Sequence, residues 1–422
     1  MKISIIGCGY VGTVTGVCFA DLGHDIVFYD VDQKKLATLS AGKAPIFEPS
    51  LEELIQKNQQ RLTATSDLIQ AVHDTDLTFV CVGTPSREDG SIDLTYVLSA
   101  CSAIGKTLKD IPQFHPIIIK STVFPGSTEG PICSVLEKES GKEAYVDFGL
   151  GSNPEFLREG NAIQDFRVPD RIVLGAEDER TMEALRSLYT SFTCPKIETT
   201  IRTAEMIKYT SNAFLATKIS FANEIGNLAK KLGIDSEKIF EGVGLDSRIG
   251  PAFFRTGIGF GGSCFPKDVR ALIAGARDYG EHLMILDAAL HVNEDQPIKL
   301  IRLLQKHLLN LKGRKIGVLG LAFKPNTDDI RESRAIPVIR ELLSAGADVI
   351  AYDPLAMGTF ASFFPEIEYA SSAQEVLSAD AVLITTEWEE FEHLDFSGMI
   401  VIDGRRLSKA SLTAESYEGV CW

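Results

Sequence analysis

Lys2-Ile3-Ser4-Ile5-Ile6-Gly7-Cys8-Gly9-Tyr10-Val11-Gly12 is the stretch whose reading decides the fold. Lys2–Ile6 is a short apolar run of strand type, and a G-x-G-x-x-G turn follows it directly. Val14 to Leu22 then carries helical apolar spacing and stops at Gly23, a helix-ending residue. Asp25–Tyr29 is a second strand and ends in Asp30. Strand, glycine turn, helix, strand and acid, in that order, make the turn that cradles a dinucleotide. Gly7 permits the tight turn, Gly9 admits a pyrophosphate, and Gly12 lets helix lie against strand; Tyr10 and Val11 belong to the same turn. Asp30 is placed to accept hydrogen bonds from ribose hydroxyls and to repel a 2′-phosphate, so NAD is expected rather than NADP. Lys35 either touches the ribose or pyrophosphate or stays solvated on its helix.

A chain of 422 residues suits two or three domains. Its 45% hydrophobic and 24% charged residues exclude a disordered or fibrous class. The formal net charge of −16 argues against nucleic acid as the main partner, although local Lys and Arg clusters still allow an anionic small ligand. The eight cysteines include no CxxC pair and the seven histidines no HxxxH pair, so no metal site is expected. No apolar run approaches the ~18 residues of a membrane span, and the opening one breaks at Gly7, too soon for a signal peptide. Scattered thiols then point to the reducing cytoplasm.

The α/β alternation continues. Leu77–Val82 reads as a strand ending at Thr84, Pro116–Lys120 as one ending at Thr122, and Tyr145–Leu150 as another. In an open parallel sheet, ligands gather at such carboxyl ends. The last strand runs into Asn153-Pro154-Glu155-Phe156-Leu157-Arg158-Glu159-Gly160, where two carboxylates four apart share a helical face or flank a turn; spacing alone favours a solvated face. Ile201 to Leu232 reads as one long helix of roughly 45 Å, with Lys208 and Asn212 on one face. Leu283 to Leu309 reads as a helix broken at Pro297. Lys315–Gly320, Gly346–Asp353 and Ser378–Ile384 then echo Lys2–Gly7, Gly23–Asp30 and the strand near Cys81. The expected organisation is therefore two Rossmann-like, doubly wound parallel-sheet α/β domains, 1–200 and 312–422, joined by a helical domain, 201–311. The second turn lacks GxGxxG and carries Lys324, Asp328, Asp329, Arg331 and Arg334, so it should bind a nucleotide other than NAD.

Gly257-Ile258-Gly259-Phe260-Gly261-Gly262-Ser263-Cys264-Phe265-Pro266-Lys267-Asp268 is the second decisive stretch. Four glycines in six positions let backbone approach a ligand closely. Cys264 stands just before a helix opened by Pro266, with a lysine three residues on, a setting that stabilises a thiolate. A small buried hydrophobe in a glycine-rich turn is the alternative reading.

Seven blocks in order (GCGYVG at 7–12, GTP at 83–85, KSTVFPG at 120–126, NPEFLREG at 153–160, EMIKYTSNAF at 205–214, GFGGSCFPKD at 259–268 and GLAFKPNTDDIRES at 320–333) resemble the UDP-glucose/GDP-mannose dehydrogenase family over essentially the whole chain. Phe265, where GDP-mannose members tend to carry Leu, makes it most similar to the UDP-glucose branch. The resemblance implies four-electron oxidation of a sugar C6 alcohol with two NAD and no metal. It implies Cys264 as the nucleophile, passing through a thiohemiacetal and a thioester, and Lys208 and Asn212 as oxyanion stabilisers. Thr122 and Glu159 would hold a water, Glu155 would be the hydrolytic base with Glu159 its competitor, and Asp268 would orient Lys208 or the water. Thr84, Thr122, Glu159 and Arg331 would join the glycine turn around NAD. Phe260, Phe265, Phe323, Lys324 and Arg405 would hold the uridine diphosphate, beside Phe156, Leu157, Phe253, Arg255 and Gly261. Arg248 matches an arginine donated by a neighbouring subunit, so a homodimer with a shared active site is expected. Cys8 and Arg158, where the family often has Ala, and Arg255, where Lys is common, are departures; only Arg255 bears on how the substrate phosphate is held. Other nucleotide sugars (GDP-mannose, a UDP-N-acetylhexosamine) and a non-catalytic nucleotide-sensing dimer stay as alternatives.

Overall fold

Ile3 and Ile5 fall on one face of β1 (Lys2–Ile6) and Ile6 on the other, and both faces are covered by apolar side chains. This is why the strand reads as a continuous apolar run and why its neighbours run parallel to it. The computed structural model describes all residues, 1–422. The chain divides into two compact units, Met1–Ser211 and Asn212–Trp422. The division falls inside the long helix Ile201–Leu232, a continuous element as its proline-free sequence predicts.

In the first unit, β1 lies in an eight-stranded sheet with β2 (Asp25–Tyr29), β3 (Leu62–Thr65), β4 (Leu77–Val80), β5 (Pro116–Ile119), β6 (Gly149–Ser152), β7 (Ile172–Ala176) and β8 (Lys196–Thr199). Spatial order is β3-β2-β1-β4-β5-β6-β7-β8, and every neighbour is parallel except β6 with β7. Strand order reverses between β1 and β4, the point where such sheets open a ligand crevice at their carboxyl ends. On one face, Val14, Val17 and Phe19 of α1 (Tyr10–Asp21) meet Ile3, Ile5, Phe28 and Phe79. On the other, Val97, Cys101 and Ile104 of the helix Thr95–Leu108 meet Ile6, Ile117 and Ile119.

The second unit holds an all-parallel sheet of β9 (Lys315–Leu319), β10 (Asp348–Tyr352), β11 (Glu368–Tyr369), β12 (Ala381–Ile384), β13 (Ile400–Asp403) and β14 (Ser416–Gly419), in the order β11-β10-β9-β12-β13-β14. The internal echo in the sequence thus becomes a second winding of the same topology. The echo stops at the acid. Asp353 is fully buried, and its carboxylate accepts from the amides of Leu321, Ala322, Leu355 and Ala356 and from the Trp388 indole, at 2.7 to 3.0 Å. Five donors fill the roughly four lone-pair sites of a carboxylate, so Asp353 holds the turn and has nothing left for a ribose.

Two elements differ from their sequence expectation. Met284–His307 is one unbroken helix with Pro297 inside it. Proline here removes only the amide that would have met the Asn293 carbonyl. The stretch expected as strand Tyr145–Leu150 begins as a turn, with Tyr145 at φ 65°, and pairing starts at Gly149. No helix is long and apolar enough to cross a membrane.

Candidate active site

At the end of β1 the chain turns through Gly7, at φ +104°, where an added Cβ would stand 2.9 Å from the Cys81 carbonyl oxygen. A Cβ on Gly12 would come within 1.9 Å of the Gly7 carbonyl oxygen, so α1 can lie this close only with glycine there. Gly9 faces open space, with nothing within 4 Å of an added Cβ. It also caps α1 without a side-chain bond, which leaves first-turn amides for an anion. Asp30, at 9% exposure, accepts from the Cys8 amide at 2.6 Å and the Asp32 amide at 2.8 Å, with the Lys35 ammonium 4.0 Å away. Unlike Asp353 it has lone pairs to spare. An open glycine, bare helix amides and an unsaturated acid fit a dinucleotide. Asp30→Ala is expected to raise the NADP/NAD ratio of kcat/KM by about tenfold or more, since one ribose hydrogen bond and one repulsion are removed together; steady-state kinetics with both cofactors checks it, and an unchanged ratio contradicts the assignment.

Tyr10 has a second engagement. Its hydroxyl donates to Glu48, and the Gly160 amide donates to both, at 3.0 Å to Tyr10 and 2.6 Å to Glu48. The other Glu48 oxygen accepts from the Ala162 amide at 2.7 Å. This buried carboxylate therefore ties the glycine turn to the Glu159-Gly160 loop. Sequence reasoning missed Glu48, because an acid between Phe47 and Pro49 in a loop carries no periodicity. Arg158 is spent on the same loop, pairing with Asp165 at 2.6 Å.

The carboxyl ends of β4, β5 and β6 bring the next residues together. The Thr84 hydroxyl donates to the Thr122 carbonyl at 2.9 Å. Glu155 and Lys208 are both buried and form an ion pair at 3.0 Å, and Glu155 also accepts from the Leu157 amide at 2.5 Å. Spacing alone favoured a solvated face for Glu155; the structure buries it. Glu159 is half-buried. Phe156 lies under the Lys208 ammonium, 5.3 Å from ring centre, with the Arg171 guanidinium 3.6 Å from the same ring. The long helix is held to the Thr122 loop by Glu205, which accepts from the amides of Gly126 and Thr128 at 2.6 and 3.1 Å. Burial pushes the Glu205 carboxyl up to about 7, against those bonds.

In the second unit the glycines admit backbone and ring at contact distance. An added Cβ would meet the Gly404 carbonyl at 2.5 Å from Gly257, Asn293 Oδ1 at 2.4 Å from Gly259, and the Glu332 carbonyl at 2.3 Å from Gly261. At Gly262, φ +81°, it would meet the Phe323 ring at 2.7 Å. Asn293 stitches Phe260 through both its backbone groups, at 2.7 and 3.0 Å. Cys264 is the N-cap of the helix Phe265–Arg277, and the Asp268 amide donates to its carbonyl at 2.8 Å. Asp268, 1% exposed, takes a bond from Asn212 Nδ2 at 2.6 Å and pairs with Lys267 at 2.5 Å. Asp268 thus bonds Asn212, a partner that the expectation of Lys208 or a water did not include.

Phe265 sits between Phe253 and Phe260, ring centres 6.1 and 6.0 Å away. Arg405 donates to the Thr385 carbonyl at 2.9 Å and the Gly259 carbonyl at 3.3 Å, and Arg255 donates to the Arg405 carbonyl at 2.6 Å. The Lys324 ammonium lies 5.6 Å from the Phe323 ring centre. Arg331 is paired with Asp329, and its carbonyl accepts from the Gly262 amide at 2.9 Å. Arg248 is 86% exposed and paired with Asp246.

Residues 1–193 match the NAD binding domain of the UDP-glucose/GDP-mannose dehydrogenase family, 202–295 its central domain and 317–410 its UDP binding domain. The chain belongs to this family, and NAD is its cofactor. It is 49% identical to UDP-glucose 6-dehydrogenase AglM of Haloferax volcanii, over 96% of this chain and 97% of that protein. It is 37% identical to GDP-mannose 6-dehydrogenase of Pseudomonas aeruginosa, over 100% of both. A solved UDP-glucose dehydrogenase from the hyperthermophilic archaeon Pyrobaculum islandicum superposes with a TM-score of 0.97 at 47% identity, covering 100% of this chain and 98% of that one.

Proposed function

We propose that this protein oxidises C6 of UDP-glucose to the carboxylate of UDP-glucuronate through covalent intermediates on Cys264. One observation carries the reading. The buried Asp268 carboxylate, one helical turn after Cys264, holds the Asn212 amide at 2.6 Å. The glycine turn and Asp30 would hold NAD, which would supply the hydride acceptor for each of the two two-electron oxidations. Lys208 and Asn212 stabilise negative charge on the C6 oxygen as its proton leaves to a water held by Thr122 and Glu159. The Cys264 thiolate adds to the resulting aldehyde, forming a C–S bond. Loss of a second hydride leaves a thioester. Glu155 takes a proton from water as the water attacks, the C–S bond breaks, and sulfur leaves as thiolate. Asp268 keeps Asn212 aimed.

Uridine diphosphate would be held by Phe260, Phe265, Phe323, Lys324 and Arg405, with Arg255, the site's departure from the family, beside the phosphates. Arg331 would reach NAD. In this reading 1–200 binds NAD, 201–311 carries the thiol and the dimer surface, and 312–422 binds the nucleotide sugar. A reducing cytoplasm suits a reaction that needs Cys264 as a thiol. UDP-glucose is favoured over GDP-mannose by the higher identity to UDP-glucose enzymes and by Phe265. NADH absorbance at 340 nm, followed over a panel of nucleotide sugars, should rise with UDP-glucose and stay flat with GDP-mannose and UDP-N-acetylhexosamines. Faster oxidation of another sugar would redirect the substrate, and no oxidation of any would leave a sensing dimer.

Exposed Arg248 is assigned to the substrate of a second copy. Dilution to monomer should therefore lower specific activity by at least about tenfold, the loss of one charge-assisted substrate bond, with the helical circular dichroism unchanged. Equal specific activity of monomer and dimer in analytical ultracentrifugation fractions contradicts the shared site.

A further inference from the structure

Lys120 follows β5 directly and is 4% exposed. Its ammonium makes two hydrogen bonds, both to Asn153: 3.2 Å to the carbonyl oxygen and 2.9 Å to Oδ1. It also lies 5.6 Å from the centre of the Phe79 ring. No carboxylate lies within ion-pair range of it. A buried cation without a counter-ion is costly, and a methionine would fill the same space more stably. Asn153 is in turn fully engaged: its Nδ2 donates to the Val173 carbonyl at 2.9 Å, its amide to the Ile119 carbonyl at 2.9 Å, and its Oδ1 accepts from Tyr189 at 2.5 Å. Two residues later comes Glu155. The residue carrying the unpaired charge thus grips the root of the turn that presents the proposed base.

We propose that Lys120 is a positioning residue for the hydrolytic half of this reaction: its ammonium fixes Asn153, and with it the Glu155 turn, and adds positive field at Glu155. The proposal rests on the reading of Glu155 as base. The charged and titratable groups facing this pair are few. Lys208 reaches Glu155 from the long helix, at 3.0 Å. Cys81, at the end of β4, is neutral because burial pushes its thiol up to about 12. Burial brings Lys120 itself down to about 8, against the opposing pull of the Glu155 carboxylate and with the help of Lys208, so it stays largely charged below that pH.

Lys120→Met removes the charge and keeps the volume. Its kcat for UDP-glucose oxidation should fall about tenfold, and the acid limb of the kcat–pH profile should move up by about one unit, because a carboxylate that loses a nearby cation binds its proton more tightly. KM for UDP-glucose should stay within about twofold, since Lys120 touches no substrate in this scheme. Lys120→Gln should behave alike and serves if the methionine variant folds poorly, while Lys120→Arg, which keeps the charge, should keep the limb in place. A packing role would lower the melting temperature and the active fraction and leave the limb unmoved. Glu155→Gln separates the two layers of the argument. If it accumulates thioester and the limb of folded Lys120→Met or Lys120→Gln is unmoved, the Lys120 proposal is overturned. If Glu155→Gln turns over at the wild-type rate, the base assignment falls, and the proposal with it.

Discussion

Cys264→Ala is expected to form no UDP-glucuronate. A methyl group cannot add to an aldehyde, so neither thiohemiacetal nor thioester exists, and the second oxidation and the hydrolysis both lose their substrate. The first hydride departs from an alcohol carbon and needs no sulfur, so this variant should yield at most one NADH per site, with aldehyde retained. The loss of carboxylate formation should be at least about 10³-fold, the scale on which nucleophile removal is measured in other covalent enzymes. Cys264→Ser should stall differently. An alkoxide is the poorer leaving group, so an ester should persist, and mass spectrometry should find a substrate-mass adduct on the peptide containing residue 264. Carboxylate formation by Cys264→Ala at a rate near wild type would return Cys264 to the status of a packing residue.

Asp268→Ala should be the second most damaging substitution. Its carboxylate is 1% exposed and divides its oxygens between Asn212 Nδ2 and the Lys267 ammonium. Removing it frees the Asn212 amide to rotate and leaves a half-buried ammonium without its partner. If Asn212 is aimed at the C6 oxygen, its disorder costs about 10²- to 10³-fold in kcat, the value of one oxyanion donor. The stability cost is separable from the catalytic one, since losing one partner of a buried pair costs about 3–5 kcal/mol and shows as a lower melting temperature. Asp268→Asn should recover stability ahead of rate, because an amide oxygen still accepts from Asn212. A folded Asp268→Ala variant with wild-type kcat would remove Asp268 from the machinery.

The sequence made some of this legible and hid the rest for physical reasons. Gly7, Gly12 and Asp30 were readable because steric prohibition and strand order leave few alternatives. Asp30 and Asp353 look alike in sequence, each ending a strand after Gly-x-Asp, and only the five donors around Asp353 separate a saturated acid from one with lone pairs to spare. Glu155 looked like a solvated-face residue on spacing alone, since its burial against Lys208 depends on a helix that begins about fifty residues later. Lys120 and Glu48 gave no signal, because a buried charge in a loop or at a strand end follows no period. Pro297 was misread for the opposite reason: a strong local rule yields where the lost bond is a single one in a long, packed helix. The thiol loop fell between these cases. Its glycines announced close approach, but what approaches, the Glu332 carbonyl and the Phe323 ring, comes from a turn some sixty residues on.

The central claim is that one active site carries out both oxidations on one sugar. The measurement that tests it most directly is the number of NADH formed per UDP-glucose consumed by the wild-type protein, with NADH read at 340 nm and sugar nucleotides separated by anion-exchange chromatography. Two oxidations require a ratio of about two, with UDP-glucuronate the only product. A ratio of about one, with free aldehyde in solution, would contradict the covalent four-electron account.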